Sequence, residues 1–261
     1  MRAMKGSQRQ GRKGLLGIRV GQYDLQSLLE TAMEAMAATT ERRVPFTFAC
    51  ANPHSMVVAQ ADADFRAALD ACSAIVADGV GLTLAGKLVG ADVGPRITGM
   101  DFFLGLMARV DRRGGRVFFL GSTDHVLQRL VAKARRQFPN LHISVLSPPF
   151  GTWSDAENQA VIDTVRAAHP DVLWVGMTAP KQEKWVHRCV SQLDVPVVGS
   201  VGAVFDYYAE TVHRAPEWFC THGLEWLYRL LHEPQRLWRR TLISTPAFLW
   251  LVVRKHVLKG T

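Results

Sequence analysis

The chain has 261 residues, 48% hydrophobic and 21% charged, the proportions of a folded globular protein rather than a disordered one. Its formal charge of +8 invites a nucleic-acid reading, but the charge is confined to the ends: residues 1–13 hold five Lys/Arg and no acid, and residues 234–261 hold six and no acid. The 220 residues between carry 20 Lys/Arg against 23 Asp/Glu, a slightly acidic body that argues against a nucleic-acid face and suits docking on an anionic membrane surface.

The opening "MRAMKGSQRQGRKG" is basic but has no apolar stretch of the kind a secretory signal needs, and residues 1–17 are expected to be a flexible basic segment. A helical pattern covers 24–40. Strand patterns then recur at "FTFACA" (46–51), "SAIVA" (73–77), "RVFFLG" (116–121), "HISVLS" (142–147), "DVLWVG" (171–176) and "VPVVGS" (195–200). Between them lie helical patterns at 53–71, 80–90, 99–112, 123–138, 154–168 and 180–193. Strands separated by helix-length segments predict right-handed crossovers and a mostly parallel sheet, one α/β domain over residues 18–207. From 208 onward strand signals stop, and four of the seven tryptophans fall in the last 44 residues. "GLEWLYRLLHE" (223–233) reads as a helix ended by Pro234. A second piece carries Arg236, Arg239 and Arg240, and a third begins at "STP", with Thr245 as N-cap and Pro246 in the first turn.

Parallel sheets collect ligands at the carboxyl ends of their strands, so the strand exits are where chemistry is expected. The first exit is "ANPH", with Asn52 and His54. The second is "DGVG", where Asp78 and Gly79 follow an apolar run, and glycine lets a ligand approach the backbone. The third is "GST", where Gly121 and Ser122 lead into a helix whose first N–H groups can receive an anion. The fifth is "MTAPKQEKW", with Lys181, Gln182 and Glu183. Each has a plainer reading: an ordinary turn for Asp78-Gly79, a helix cap for "GST", a solvated first turn for Lys181 and Glu183. Asp62-Ala-Asp64 has the form of a metal-holding pair, but residues two apart on a helix point to opposite sides, and both are expected in solvent. The histidines have no ligand spacing, so no metal site is expected. Cys50, Cys72, Cys189 and Cys220 show no CxxC spacing and are expected as reduced thiols.

The motifs "ADGVG", "PRITGMD", "PKQEKW", "VGAVFD", "HRAPEW" and "GLEWLYRLLHEPQRLWRR" together resemble the WecG/TagA/CpsF family of bacterial glycosyltransferases, over about residues 18–240. The resemblance implies a Rossmann-like core and inverting transfer of a sugar from a UDP-sugar to a polyprenyl-diphosphate-linked sugar, with no metal and no cofactor, at the cytoplasmic face of the cell membrane. It further implies Asp78 as general base and Asp206 as uracil contact. Asn52, Arg96 and Gln182 would line the donor and acceptor site, completed by Arg229, Arg236 and Arg239 from the appendage. Two positions depart from the family pattern. Cys50 stands where a threonine is usual, a weaker hydrogen-bond donor, and Glu210 where a glycine is common.

The tail resolves on its own terms. Residues 242–253 would span about 18 Å as helix, against a hydrocarbon core of about 30 Å. Apolar around its circumference, flanked by basic clusters and carrying Trp238 and Trp250, the 208–261 appendage is expected to end in a monotopic foot in the cytoplasmic leaflet. The plainer reading is a helix packed on the core or on a second copy. Assembly of identical copies is left open. Two rival functions stand beside the transferase: a nucleotide-dependent oxidoreductase, which lacks the G-x-G-x-x-G fingerprint here, and a non-enzymatic membrane binder.

Overall fold

The computed structural model describes residues 14–38, 44–91, 93–212, 216, 218–219, 225–232 and 234–256. Six strands form one sheet: β1 (Phe46–Ala51), β2 (Ala74–Ala77), β3 (Arg116–Gly121), β4 (His142–Leu146), β5 (Val172–Gly176) and β6 (Val197–Ser200). Their order is β2-β1-β6-β5-β3-β4 and every pairing is parallel, as the alternation of strand and helix signals requires.

The sheet is sandwiched by helices. On one face lie α1 (Leu25–Ala37), α5 (Gly99–Asp111), α6 (Asp124–Gln137) and α9 (Val204–Tyr208). On the other lie α2 (Pro53–Ala61), α3 (Ala63–Asp70), α4 (Val80–Val89), α7 (Asp155–Ala167) and α8 (Lys181–Leu193). The strands alternate to suit: Phe46, Phe48, Val117, Phe119 and Trp174 enter the first layer, while Ala49, Phe118, Leu120, Leu173 and Val175 enter the second. An aromatic cluster anchors the first layer. Phe48 stacks on Phe102 at 4.0 Å between ring centroids, and Phe103 lies 5.0 Å from the buried Trp174.

Strand order creates a crevice. The connection leaving β3 runs outward to β4, whereas the one leaving β5 runs inward to β6, so β3 and β5 flank a topological switch point. At its mouth the backbones come close: a Cβ on Gly121 (φ +114°) would lie 2.7 Å from the Gly176 carbonyl oxygen. Glycine is required there by space and by backbone angle alike.

Three expectations need correction. The helical pattern at 53–71 is two helices, because Asp62 leaves helical geometry and its carboxylate accepts the Phe65 N–H at 3.0 Å as the N-cap of α3. Asp62 also pairs with Lys184 on α8 at 2.5 Å, so it joins two helices rather than facing solvent alone. Residues 14–17, assigned to the flexible segment, belong to the fold: Leu15, Leu16 and Ile18 are buried against the α2 and α3 layer.

The third correction concerns the tail. After α10 (Glu225–His232) and α11 (Pro234–Trp238), a π-helical turn (Arg239–Ile243) runs directly into α12 (Ser244–His256). Thr245 is therefore not an N-cap. Helix α12 lies against α2 and α4, with Phe248 and Val252 buried in the core and Ser244 in line with them. Positions 244, 248 and 252 mark one helix face, so the tail docks by a stripe and only its other sides are outside. Among the described residues, no helix is long and apolar enough to cross a membrane.

Candidate active site

The carboxyl ends of β1 and β2 bring the backbones of five of the expected residues to one corner: Cys50, Asn52, Asp78, Gly79 and Arg96. The Asp78 N–H donates to the Ala51 carbonyl at 2.8 Å, which sets the tip of β2 against that of β1. Asp78 is half-buried there, one residue before Gly79 (φ +102°), around whose Cβ position there is open space within 4 Å. The carboxylate thus stands at the N-terminal end of α4, where the helix dipole favours negative charge. Segment 93–98 returns along α4, Val93 beside Gly86 and the Ile97 N–H on the Ala77 carbonyl at 3.2 Å, and this delivers the exposed Arg96 to the same corner.

Asn52 caps α2: its Oδ1 accepts the Ser55 N–H at 3.0 Å, while its own N–H donates to Ser55 Oγ at 2.8 Å. The cap uses the amide oxygen and leaves the NH₂ group as the part that can meet a ligand. Cys50 is half-buried two residues earlier, in β1. Burial, and then the carboxylates of Asp78, Glu183 and Asp101, push its thiol well above the usual range, so it stays protonated. Asp101 itself is a capping residue, its carboxylate accepting the Thr98 N–H at 3.0 Å at the start of α5.

Beyond β5 and β6 the site continues. Gln182 and Glu183 in the first turn of α8 are both buried, and Gln182 Nε2 donates to Glu183 Oε1 at 2.8 Å. This corrects the solvated-turn reading of Glu183; the acid lies inside, near Thr47, Cys72 and Ser200. Lys181 fits the surface reading better, donating to the Gly151 carbonyl at 2.6 Å and lying 4.4 Å over the Trp153 ring. The Gln182 amide packs beneath the turn after β6, both its polar atoms 3.6 Å from where a Gly202 Cβ would be. Asp206 follows on α9, half-buried, its carbonyl accepting the Thr211 hydroxyl at 3.0 Å.

Gly121 and Ser122 sit at the far end of this edge. β3 is four strand spacings from β2, about 19 Å at the usual interstrand distance. They belong to the switch-point crevice and do not touch the Asp78 corner. Ser122 has φ +61° and its carbonyl accepts the Ser147 hydroxyl at 2.9 Å, while Thr123 caps α6. The edge thus carries a carboxylate at one end and a glycine-lined crevice at the other, a separation that an extended ligand with two distinct groups would match.

Comparison with known proteins decides the class. The model of the glycosyl transferase WecG/TagA/CpsF family matches residues 14–260. Similar proteins include two named N-acetylglucosaminyldiphosphoundecaprenol N-acetyl-beta-D-mannosaminyltransferase. That of Bacillus spizizenii (strain ATCC 23059 / NRRL B-14472 / W23) is 32% identical over 204 residues, 78% of this chain and 77% of the relative. That of Bacillus subtilis (strain 168) is 28% identical over 221 residues, 85% of this chain and 84% of the relative. The chain belongs to the WecG/TagA/CpsF glycosyltransferase family. It is an enzyme, a hexosyltransferase.

Within this family framework, the appendage arginines divide. The side chains of Arg229 and Arg236 lie outside the described residues. Arg239 lies in the π-helical turn, exposed, with its guanidinium 5.2 Å from the Trp238 ring centroid. What does join the appendage to the site is a contact that sequence reasoning missed: His54 Nδ1 and Ser244 Oγ are hydrogen-bonded at 2.8 Å, 190 residues apart. It ties the start of α12 to a position two residues after Asn52. The departure at Glu210 is accommodated, at φ +55°, by an ion pair with Lys133 on α6. Among the described residues, no group of three or more His, Cys, Asp or Glu converges as metal ligands would.

Proposed function

We propose that this glycosyltransferase moves a sugar, with inversion and without a metal, from a UDP-sugar to a polyprenyl-diphosphate-linked sugar at the cytoplasmic face of the membrane, in cell-surface polysaccharide synthesis. The observation that carries the reading is Asp78 at the tip of β2, next to Gly79 with open space on its Cβ side, on a corner that the backbone of Ala51-Asn52 and of the Arg96 segment also reaches. The names of the relatives support the acceptor class, and make an N-acetylmannosaminyl group and an N-acetylglucosaminyl acceptor the first pair to test.

The step is a single displacement. The acceptor hydroxyl oxygen forms a bond to the anomeric carbon as the bond from that carbon to the β-phosphate oxygen breaks. The electron pair leaves with UDP, the hydroxyl proton passes to Asp78, and attack from the opposite face inverts the centre. Asp78 contributes by position and by receiving the proton late in the transition state. The edge running from Asp78 towards Gln182 and Asp206 would take the donor, with Asp206 as uracil contact, and guanidinium groups meet the charge on the departing diphosphate.

The test is UDP release on adding N-acetylglucosaminyl-diphosphoundecaprenol and UDP-N-acetylmannosamine, with UDP affinity measured in parallel by calorimetry. Asp78→Asn is expected to keep UDP affinity and lose turnover by about 10²-fold or more. Normal turnover in that variant would remove the assignment.

A further inference from the structure

Helix α4, which begins two residues after Asp78, is built unlike a solvent-facing helix. Its sequence, VGLTLAGKLV, has no acid and one lysine. One face is core, with Leu82 and Ala85 buried. The opposite face carries Val80, Leu84 and Leu88, which are 44%, 59% and 74% exposed. Spaced four residues apart, they form a ridge about 12 Å long. Aliphatic side chains on three successive turns, where charged residues ordinarily stand, mark a surface that something covers.

We infer that this ridge seats the hydrocarbon chain of the lipid-linked acceptor, an inference that rests on the function proposed above and adds a subsite to it. The order of groups on the protein matches the order of groups in such an acceptor. The carboxylate of Asp78 faces the sugar hydroxyl. Arg96, brought to the helix start by segment 93–98, meets the diphosphate. The ridge then runs away from that corner along α4, apolar and without negative charge to repel the head group. Helix α12 touches α4 and leaves Leu249, Trp250 and Val253 exposed on its own outer side, so further apolar surface lies next to the ridge.

The test uses the full chain and two acceptors in detergent micelles, with the same sugar diphosphate on a long polyprenyl chain or on a single short isoprenoid unit. Leu84→Gln/Leu88→Gln is expected to lower the kcat/KM preference for the long chain by tenfold or more, about 1.4 kcal/mol, and Leu84→Met/Leu88→Met to retain it. Vesicle flotation and sedimentation are measured alongside. An unchanged preference overturns the inference. So does loss of flotation, which would make the ridge a bilayer contact, or conversion of a dimer to a monomer, which would make it an interface between copies. Absence of transfer by the wild type to both acceptors would instead sink the reading on which the ridge's role rests.

Discussion

Cys50 shows how much a site depends on neighbours rather than on residue type. Its thiol shares a corner with Asp78, and Asp101 and Glu183 add negative potential to a half-buried sulfur. Reactivity of a thiol follows its anion, and here both burial and charge disfavour the anion. Folded protein treated with iodoacetamide near pH 8 should therefore leave Cys50 unlabelled while unfolded protein labels fully, as peptide mapping would report; rapid labelling in the fold would contradict the placement. The place of Asp78 at the tip of β2 could be read from the apolar run before it, whereas its role as a base was implied only by the family resemblance, the local pattern being equally that of a turn. The place of Glu183 could not be read. An acid in the first turn of a helix beside lysines is the pattern of a solvated cap, and only the packing of α8 against β1 and β6 buries it. The His54–Ser244 bond was equally beyond reach, since nothing local relates two residues 190 positions apart.

At the scale of elements, strands and crossover helices followed from the alternating periods, because the inner strands are short apolar runs and the helices between them carry apolar stripes; edge strand β4, with His142 and Ser144, is the more polar one. Apart from the break at Asp62, helix α12 was the exception. Its residues are apolar on most sides, so the hydrophobic pattern does not distinguish the face that docks from the face that stays outside. Packing makes the distinction: Phe248 is fully buried between α2 and its neighbours, while Leu249 next to it is half exposed. Phe248→Ala is accordingly expected to destabilise the fold by about 3–5 kcal/mol through loss of apolar contact and the cavity left behind. Leu249→Ser should change stability by roughly 0.5 kcal/mol or less. Urea unfolding of the two variants measures both, and equal effects would mean that α12 is not docked as described.

For the whole molecule, the sheet's carboxyl edge, the docked tail and the charge distribution converge on one orientation. The tail reaches the site through α2 and α4, the two helices that start at the tips of β1 and β2, so a surface that held the outer side of α12 would also lie beside the Asp78 corner. That outer side combines Leu249, Trp250 and Val253 with Arg254, apolar insertion beside cationic attraction, while Lys255 falls on the docked side with its ammonium near Gly17. Deleting the tail is a poor test of membrane binding, because removal of Phe248 and Val252 would open the core layer under α2. Substitution on the exposed side separates the two roles. Leu249→Glu/Trp250→Glu should abolish flotation with phosphatidylglycerol vesicles while leaving the urea midpoint within error of wild type. Wild-type binding should weaken with phosphatidylcholine vesicles and at roughly 0.5 M salt, where screening shortens electrostatic reach to a few ångströms. Undiminished flotation of the double variant would place the membrane contact elsewhere on the protein, and with it the geometry that brings a lipid-linked acceptor to Asp78.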